Sequence, residues 1–224
     1  MFEMHCEGSR LTLAGVCLVL MIFGHAPSAL MAAPKLTPSM DVLMGGASEG
    51  MWSASLQVGY PWQNMRVQYG LEKGWTPLVE FHSALGVRNA ASVGLAKRWV
   101  DRRRVRVTGE ALFGGLWQTG ELAQRGPSGE LRIRSGLTAF RVMPYLTLAT
   151  RHTMLINRTS IEAEEGTSVT YAVGHRWTPS AMFGVATSLG PRFALELGVD
   201  VPWIDASQLS IPGIHLSLAF GGGK

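Results

Sequence analysis

Hydrophobic and polar residues alternate with a period of two along most of the chain from Trp52 onward. Apolar side chains occupy every second position in the segments Trp52–Tyr60, Phe193–Val201 and Ile214–Phe220, with mostly small or polar residues between them. Because successive side chains of a β-strand point to opposite faces, each segment has one apolar and one polar face. The pattern therefore predicts β-strands.

Eleven segments have this strand character, and residues typical of turns, such as Gly, Pro and Asn, separate them. They span residues 51–60, 64–72, 77–85, 90–99, 104–116, 129–140, 144–154, 167–177, 181–189, 192–201 and 208–220. Two connections are longer than the others, Gln118–Gly129 and Ile156–Gly166. Short connections imply antiparallel neighbours, so the sequence predicts an all-β meander.

Strands of about ten residues with one apolar face and aromatic residues near their ends are typical of a closed antiparallel transmembrane β-barrel with a polar interior. Such barrels usually have an even number of strands, and the count stays open between ten and twelve. Ten requires one segment to be a loop. Twelve, which we prefer, requires a further strand at Met40–Met44.

The position of the chain ends depends on this count. If the strand at Trp52 starts in the periplasm, eleven strands place both longer connections on the outer side of the membrane, as expected. The C-terminus then also lies on the outer side, although a periplasmic C-terminus is expected. An additional strand at Met40–Met44 corrects the C-terminus and moves the longer connections to the inner side. The sequence does not decide between these arrangements.

If the apolar face contacts lipid, the charged residues of the strands lie inside the barrel. An Arg facing lipid at mid-depth would cost about 2–4 kcal/mol, which favours this assignment. The residues predicted to face the lumen are Arg66, Glu80, His82, Arg98, Arg104, Arg106, Glu110, Arg132, Arg134, Arg151, Arg176, Glu196, Asp200 and His215. Lys97 shares the apolar face and is expected to extend its ammonium group to the headgroup region.

An arginine-rich lumen is compatible with two roles. Narrow barrels are filled by side chains, and isolated buried charges are costly, so the charged groups are expected to pair and to fill the interior. The alternative is a porin-like channel whose surplus arginines attract anions.

Aromatic residues fall mostly near the predicted strand ends, where two interfacial girdles would lie. These residues are Trp52, Tyr60, Trp62, Trp75, Trp99, Trp117, Tyr171, Trp177 and Trp203.

Residues 1–33 have the organisation of a secretory signal peptide, which leaves 34–224 as the barrel domain. Arg10 precedes the apolar run Leu11–Phe23, and small residues follow around Ala29–Ala33. Both cysteines of the chain lie inside this segment. The mature chain would then have neither disulfides nor thiolate ligands for a metal.

Composition narrows the function classes only slightly. Charged residues make up 16% of the chain, below the ~25% of typical soluble domains, and there are 27 glycines. Basic residues are scattered along the strands, which argues against a nucleic-acid partner. No phosphate-binding loop or set of histidines at metal-ligand spacing is present, so we expect neither a cofactor nor a metal.

The last predicted strand, Gly213–Phe220, resembles the closing strand of bacterial outer-membrane β-barrels, in which alternating apolar residues lead to an aromatic residue. The resemblance implies an assembly signal formed by Gly213, Leu216, Leu218 and Phe220. It implies the outer membrane of a Gram-negative bacterium as location, and outer-membrane lipid and the assembly machinery as partners. Four further residues follow Phe220, which departs from the family pattern, and the oligomeric state stays open.

An enzymatic alternative rests on His215 and Ser217, which share one strand face with Cα atoms about 6.5–7 Å apart. Glu196 or Asp200 on the preceding strand is placed to orient the histidine, which completes an acid–base–nucleophile set. The His-x-Ser pattern resembles that of outer-membrane lipid A deacylases and phospholipases, which implies lipid hydrolysis. No Asn follows Ser217, and the pair faces inward whereas those enzymes direct it toward lipid.

We therefore expect a non-enzymatic barrel with a structural or porin-like role. The lipid hydrolase is one alternative, and a soluble periplasmic β-barrel carrier with a ligand cavity is another.

Overall fold

The computed structural model describes residues 38–102, 105–119, 124–137, 142–163, 166–202 and 212–222. All of them belong to the unit Ala33–Lys224. The predicted signal peptide, 1–33, lies outside the described residues. Among the helices of the described part, none has the length and the hydropathy needed to cross a membrane.

A short helix, α1 (Pro38–Leu43), precedes the strands, and a 3₁₀ turn (Glu72–Gly74) lies before the third of them. The strands are β1 (Trp52–Tyr60), β2 (Trp62–Tyr69), β3 (Trp75–Ala84), β4 (Arg88–Arg102), β5 (Val105–Gln118), β6 (Gln124–Leu137), β7 (Val142–Ala163), β8 (Gly166–Ser188), β9 (Phe193–Pro202) and β10 (Gly213–Gly222).

These ten strands of the described chain form one closed barrel in meander order. Each strand pairs antiparallel with the next, and β10 returns to β1 in a register that runs from Trp52 opposite Gly222 to Tyr60 opposite Ile214. The predicted all-β fold, a closed antiparallel barrel of ten to twelve strands, is confirmed. Closure gives every strand of the barrel a hydrogen-bonded neighbour on both sides.

The preferred count of twelve is wrong for two reasons. Met40–Met44 lies in α1 and the turn after it, because its buried apolar residues Met40, Leu43 and Met44 follow a helical i, i+3, i+4 spacing. The predicted segments 167–177 and 181–189 form one strand, β8, which passes through Pro179. Pairing of β8 with β9 begins at Ser180 among the described residues, so on that side no described strand residue lies opposite Pro179.

Ten strands resolve the position of the chain ends. β1 begins and β10 finishes at the same end of the barrel, which we call the terminal end. Both longer connections lie at the opposite end, which we call the loop end. β7 and β8 are 22 and 23 residues long, and beyond Asn157 they pair only with each other among the described residues, so this hairpin extends past the other described strands at the loop end.

The apolar face of the strands is turned outward and the charged face inward. In β10, His215, Ser217 and Ala219 are buried, whereas Leu216 and Leu218 are about half exposed. Leu56 and Leu197 are 52% and 53% exposed, but Arg66 is only 4% exposed. A water-soluble barrel would have the reverse arrangement.

Outward-facing aromatic residues lie near both ends of the strands. Trp52, Trp75, Trp99 and Phe193 lie toward the terminal end, and Tyr60, Trp117 and Trp177 toward the loop end. Trp52 and Tyr60 are the first and last of the nine residues of β1, which spans roughly 21 Å along a barrel axis when the strands are tilted by about 40°. Lys97 places its Nζ 4.6 Å from the Trp75 ring centre, at the terminal edge of this face.

One member of the predicted girdles is misplaced. Trp62 faces inward, because it lies in β2 at even spacing from Asn64 and the buried Arg66. The side chains of Tyr171 and Trp203 lie outside the described residues.

The segment Met40–Ala47, which we call the N-terminal plug, is buried inside the terminal end of the barrel. Met40, Leu43 and Met44 pack in one cluster with inward-facing residues of β7 to β10. These are Met143, Tyr145, Ala186, Ala194 and Ala219. The small side chains on the last three strands leave the space that the helix occupies.

Two neighbouring glycines of β5 provide a matched test of the barrel wall. A Cβ on Gly114 would lie 2.0 Å from the Ala91 carbonyl oxygen of β4, whereas a Cβ on Gly115 would meet nothing within 4 Å. We expect Gly114→Ala to lower the free energy of unfolding by about 1–3 kcal/mol, as overpacking does. Gly115→Ala should change it by less than about 1 kcal/mol. Urea unfolding of the refolded barrel measures both, and equal losses would contradict the described β4–β5 packing.

Candidate functional site: the charged lumen

The centre of the lumen is filled by ion pairs between facing strands. Arg66 of β2 donates two hydrogen bonds to the carboxylate of Glu110 of β5. Its Nη1 lies 2.9 Å from Oε2, and its Nη2 lies 3.1 Å from Oε1. The Arg66 Nε also donates to Gln68 at 2.8 Å. Such a planar, bidentate geometry gives strong charge-assisted hydrogen bonds.

Arg132 of β6 joins three carboxylates and is the hub of this network. Its Nη1 lies 2.7 Å from Glu80 Oε2 and 3.6 Å from Glu110 Oε2, and its Nε lies 2.5 Å from Glu130 Oε1. Arg151 contacts the other oxygen of Glu130, with Nε 2.7 Å from Oε2. Because these groups are removed from bulk water, mutual pairing is what offsets their desolvation.

Glu80 has two further polar neighbours on adjacent positions of the lumen wall. Asn64 of β2 donates its side-chain amide to Oε1, and His82 Nε2 lies 3.2 Å from the same oxygen. The side chain of Glu80 is 1% exposed, so protein groups take the place of its water shell.

Asp41 of the N-terminal plug forms ion pairs with two further arginines of the lumen. Arg106 donates to Asp41 Oδ1, and Arg98 Nη2 lies 3.5 Å from Asp41 Oδ2. Both arginines also contact Asp101, at 3.0 and 3.1 Å. The acidic residue of the plug thus lies between two strand arginines.

Backbone groups of the plug bond to the lumen wall as well. Arg134 donates to the Leu43 carbonyl, and Arg66 Nη2 donates to the Gly45 carbonyl at 3.4 Å. The N–H of Ala47 donates to Thr76 Oγ1 at 3.2 Å. A Cβ on Gly45 would lie 2.0 Å from Glu110 Oε1, so this position accepts no larger residue without a shift of Glu110.

Toward the loop end the lumen widens into a cavity of about 360 Å³. Eight charged residues line it, five arginines and three carboxylates. They are Arg88, Arg132, Arg134, Arg151, Arg176, Glu80, Glu130 and Asp200. Arg132 and Arg151 are paired with glutamates, whereas Arg88 and Arg176 have no ion-pair partner among the described residues.

The predicted catalytic candidates come together but do not form a nucleophile–base pair. His215 Nε2 lies 3.0 Å from Glu196 Oε1, and Ser217 Oγ donates to that same oxygen at 3.3 Å. The described contacts contain no hydrogen bond between Ser217 and His215, which activation of the hydroxyl requires. Tyr145 also contacts His215 Nε2, at 3.3 Å, and all four side chains are buried.

The structure places the predicted lumen charges on the inner face. Eight are buried, namely Arg66, Glu80, Arg106, Glu110, Arg132, Arg134, Glu196 and His215. Five are partly exposed near the cavity or the plug, namely His82, Arg98, Arg151, Arg176 and Asp200. Arg104 lies outside the described residues.

The residues of the predicted assembly signal fall on both faces of β10. Leu216 and Leu218 are exposed, whereas Gly213 is buried and lies opposite Asp200 of β9. The Phe220 ring lies between Trp52 and Phe193, with 5.2 Å between ring centres on each side. The strand continues to Gly222, so the aromatic residue is not its last position.

Three functional residues are absent from the predicted set. Glu130 lies in the predicted strand 129–140 and shares the two-residue period of Arg132 and Arg134, so that period alone identifies it. Arg88 precedes the predicted start of its strand at residue 90, whereas β4 begins at Arg88 itself. Asp41 falls in the predicted strand Met40–Met44, and nothing in the sequence indicates that it contacts Arg98 and Arg106.

Two histidines with no predicted partner lie together on the outer face. His152 Nε2 is 3.3 Å from His175 Nδ1, and the His152 ring lies 4.5 Å from the Trp177 ring. In the described part of the chain, no set of three or more His, Cys, Asp or Glu side chains is arranged to hold a metal. The pair therefore joins the aromatic residues near the loop end.

Comparison with known protein families and with curated proteins found no match for this chain. Among solved structures, the N-terminal β-barrel domain of Pseudomonas aeruginosa OprF matches 78% of this chain and 98% of its own length, at 8% identity and a TM-score of 0.37. The Yersinia pestis attachment invasion locus protein Ail, in complex with the heparin analogue sucrose octasulfate, matches 78% and 99%, at 15% identity and a TM-score of 0.34.

A third structure, from work on in-meso crystallisation of membrane proteins, matches 78% of this chain and 83% of its own, at 11% identity and a TM-score of 0.36. OprF and Ail are outer-membrane β-barrels, the class that the last strand resembles. Likeness at this level carries no information about activity, and the closed barrel is seen directly in the strand pairing.

The hub position of Arg132 leads to a stability prediction. We expect Arg132→Leu to lower the free energy of unfolding by roughly 3–5 kcal/mol, because Glu80, Glu110 and Glu130 lose their shared cation while staying buried. Arg125→Leu is the control, since Arg125 is exposed on the outer face of β6. Urea unfolding in detergent micelles compares the two, and an equally small loss in both would contradict the hub role.

Proposed function

We propose that this chain is an outer-membrane β-barrel of a Gram-negative bacterium, exported by the segment 1–33, whose lumen is occluded and whose role is structural. The observation that carries the proposal is the exposed apolar belt of a closed barrel with a charged interior. Soluble proteins rarely expose such a continuous apolar surface. In a bilayer every backbone polar group needs a partner within the protein, and a closed barrel meets that condition.

The arrangement of the ends supports the same proposal. With an even number of strands, the terminal end faces the periplasm, and the longer connections and the β7–β8 hairpin face the outside. The belt between Trp52 and Tyr60 is close to the apolar band of about 25 Å that such barrels present to lipid.

Occlusion of the lumen supports a structural role. The N-terminal plug occupies the terminal end, and the ion pairs around Arg132 occupy the centre. A non-enzymatic role is part of the proposal, because His215 and Ser217 both bond to Glu196 and are buried.

The proposed partners are outer-membrane lipid and the machinery that inserts barrels. Leu216 and Leu218 present an apolar edge on the closing strand, and Phe220 packs with Trp52 of β1 and Phe193 of β9 where the barrel closes. Recognition of β10 would precede its pairing with β1.

A second candidate is a porin-like channel that prefers anions. The excess of arginines over carboxylates around the cavity favours it, since rings of Arg attract anions. It requires the N-terminal plug to leave the lumen.

Membrane location is tested by cell fractionation and by gel mobility before and after boiling. We expect the chain in the outer-membrane fraction, with a different mobility when unheated because a folded barrel resists detergent. Recovery of the mature chain in the periplasmic wash would instead indicate the soluble carrier.

The lipid-facing surface is tested by Leu197→Arg, in the middle of β9, against Leu189→Arg in the β8–β9 turn. We expect the first change to destabilise the barrel in liposomes by about 2–4 kcal/mol, since it places a charge in hydrocarbon. The second lies at the membrane surface and should cost at most about 1 kcal/mol. Equal effects would argue that no bilayer surrounds β9.

Occlusion is tested in planar bilayers. We expect the wild-type chain to produce no steady conductance, and Asp41→Ala to produce brief openings at most, because the anchor between Arg98 and Arg106 is lost while the ion pairs around Arg132 still fill the centre. Steady, anion-selective openings of the wild-type chain would contradict the structural role and support the anion channel.

A further inference from the structure

We propose that the cavity at the loop end is a binding site for a small solute that carries a phosphate or sulfate group, held by Arg88, Arg151 and Arg176. The proposal goes beyond the structural role of the barrel. It depends on the closed lumen and holds whichever membrane surrounds the protein.

The first support is a set of cations without matching anions. Arg88 and Arg176 line the cavity and contact no carboxylate among the described residues. The Nε of Arg88 is buried and has no hydrogen-bond partner among the residues that the structure describes. A buried donor without an acceptor is costly, so such a group marks a place where a ligand acceptor would be stabilising.

The second support is that these cations come from distant parts of the chain and meet at one place. Arg88 begins β4, Arg151 lies in β7 and Arg176 in β8, and all three line the same cavity. Arg151 shares Glu130 with Arg132, so one carboxylate serves two guanidinium groups there. An anion between the three arginines would offset their repulsion.

The third support is the chemistry of the remaining wall. Thr178 and Ser180 lie on the same face of β8 as Arg176, and Trp62 lines the cavity from β2. Hydroxyl and guanidinium donors together suit a tetrahedral oxyanion, which offers only acceptors. The cavity volume of about 360 Å³ is that of a small-molecule site, and the Trp62 ring offers an apolar surface to the rest of the solute.

The acidic residues of the cavity define a control. Glu80 and Glu130 are neutralised by Arg132 and Arg151, but Asp200 lines the cavity with no ion pair among the described residues. The negative charge of the Asp200 carboxylate would repel an anion bound in the cavity. Removing its charge should therefore strengthen binding, whereas removing a cation should weaken it.

The experiment is calorimetric titration of the refolded barrel in uncharged micelles with glucose 6-phosphate, and with glucose as the matched neutral probe. We expect binding of glucose 6-phosphate only, weaker at about 0.15 M salt than at about 0.02 M. Arg88→Gln and Arg176→Gln should each weaken it about tenfold, and together about a hundredfold. Asp200→Asn should tighten it a few-fold, and Arg125→Gln on the outer face should leave it unchanged.

Heat-dependent gel mobility checks that each variant is folded. A second measurement needs no variant: butanedione modification of Arg88 and Arg176 in the wild-type chain, followed by mass spectrometry, should be slowed by glucose 6-phosphate and not by glucose. Unchanged affinity in the double variant, equal binding of the two probes, or no protection would overturn the proposal. Competition by lipopolysaccharide micelles would assign the phosphate to a lipid headgroup, and its absence would assign it to a free solute.

Discussion

Closure of the hydrogen-bonded ladder between β1 and β10 is the constraint on which the rest of the structure depends. Once every strand has two neighbours, the backbone needs no partner from the solvent, and the outer face can be apolar throughout. The same closure encloses a narrow centre, where the buried charged groups pair with one another. The apolar outer belt and the ion pairs inside the lumen are therefore both consequences of barrel closure.

The inner ion pairs connect the fold to its proposed role. Arg132 joins Glu80, Glu110 and Glu130, while Arg66 and Arg106 extend the network to Glu110 and to the N-terminal plug. Every arginine used in this way occludes the centre or the terminal end. Arg88 and Arg176, which the network does not use, remain at the loop end, and for that reason the cavity there has a cationic wall.

Much of the fold could be predicted because the two-residue period depends on local sequence alone. The outward Leu216 and inward His215 follow directly from it. Prediction failed where local sequence is ambiguous. Met40–Met44 fits a strand and a helix equally well, and burial in the lumen selected the helix. Pro179 indicated a turn, but β8 continues through it, because no described strand residue lies opposite Pro179 on the β9 side.

The sequence by itself determined which residues share a face, and hence that one face is apolar and the other carries arginines and carboxylates, because side-chain direction in a strand depends only on parity. Tertiary structure alone decided which charges meet. Strand order and register bring Arg66 to Glu110 and Arg88 near Arg151 and Arg176, over sequence separations that no local period relates. The odd or even position of a residue in its strand decides whether its side chain faces the lumen or the outside. Which residue it contacts there depends on how the strands pair to close the barrel.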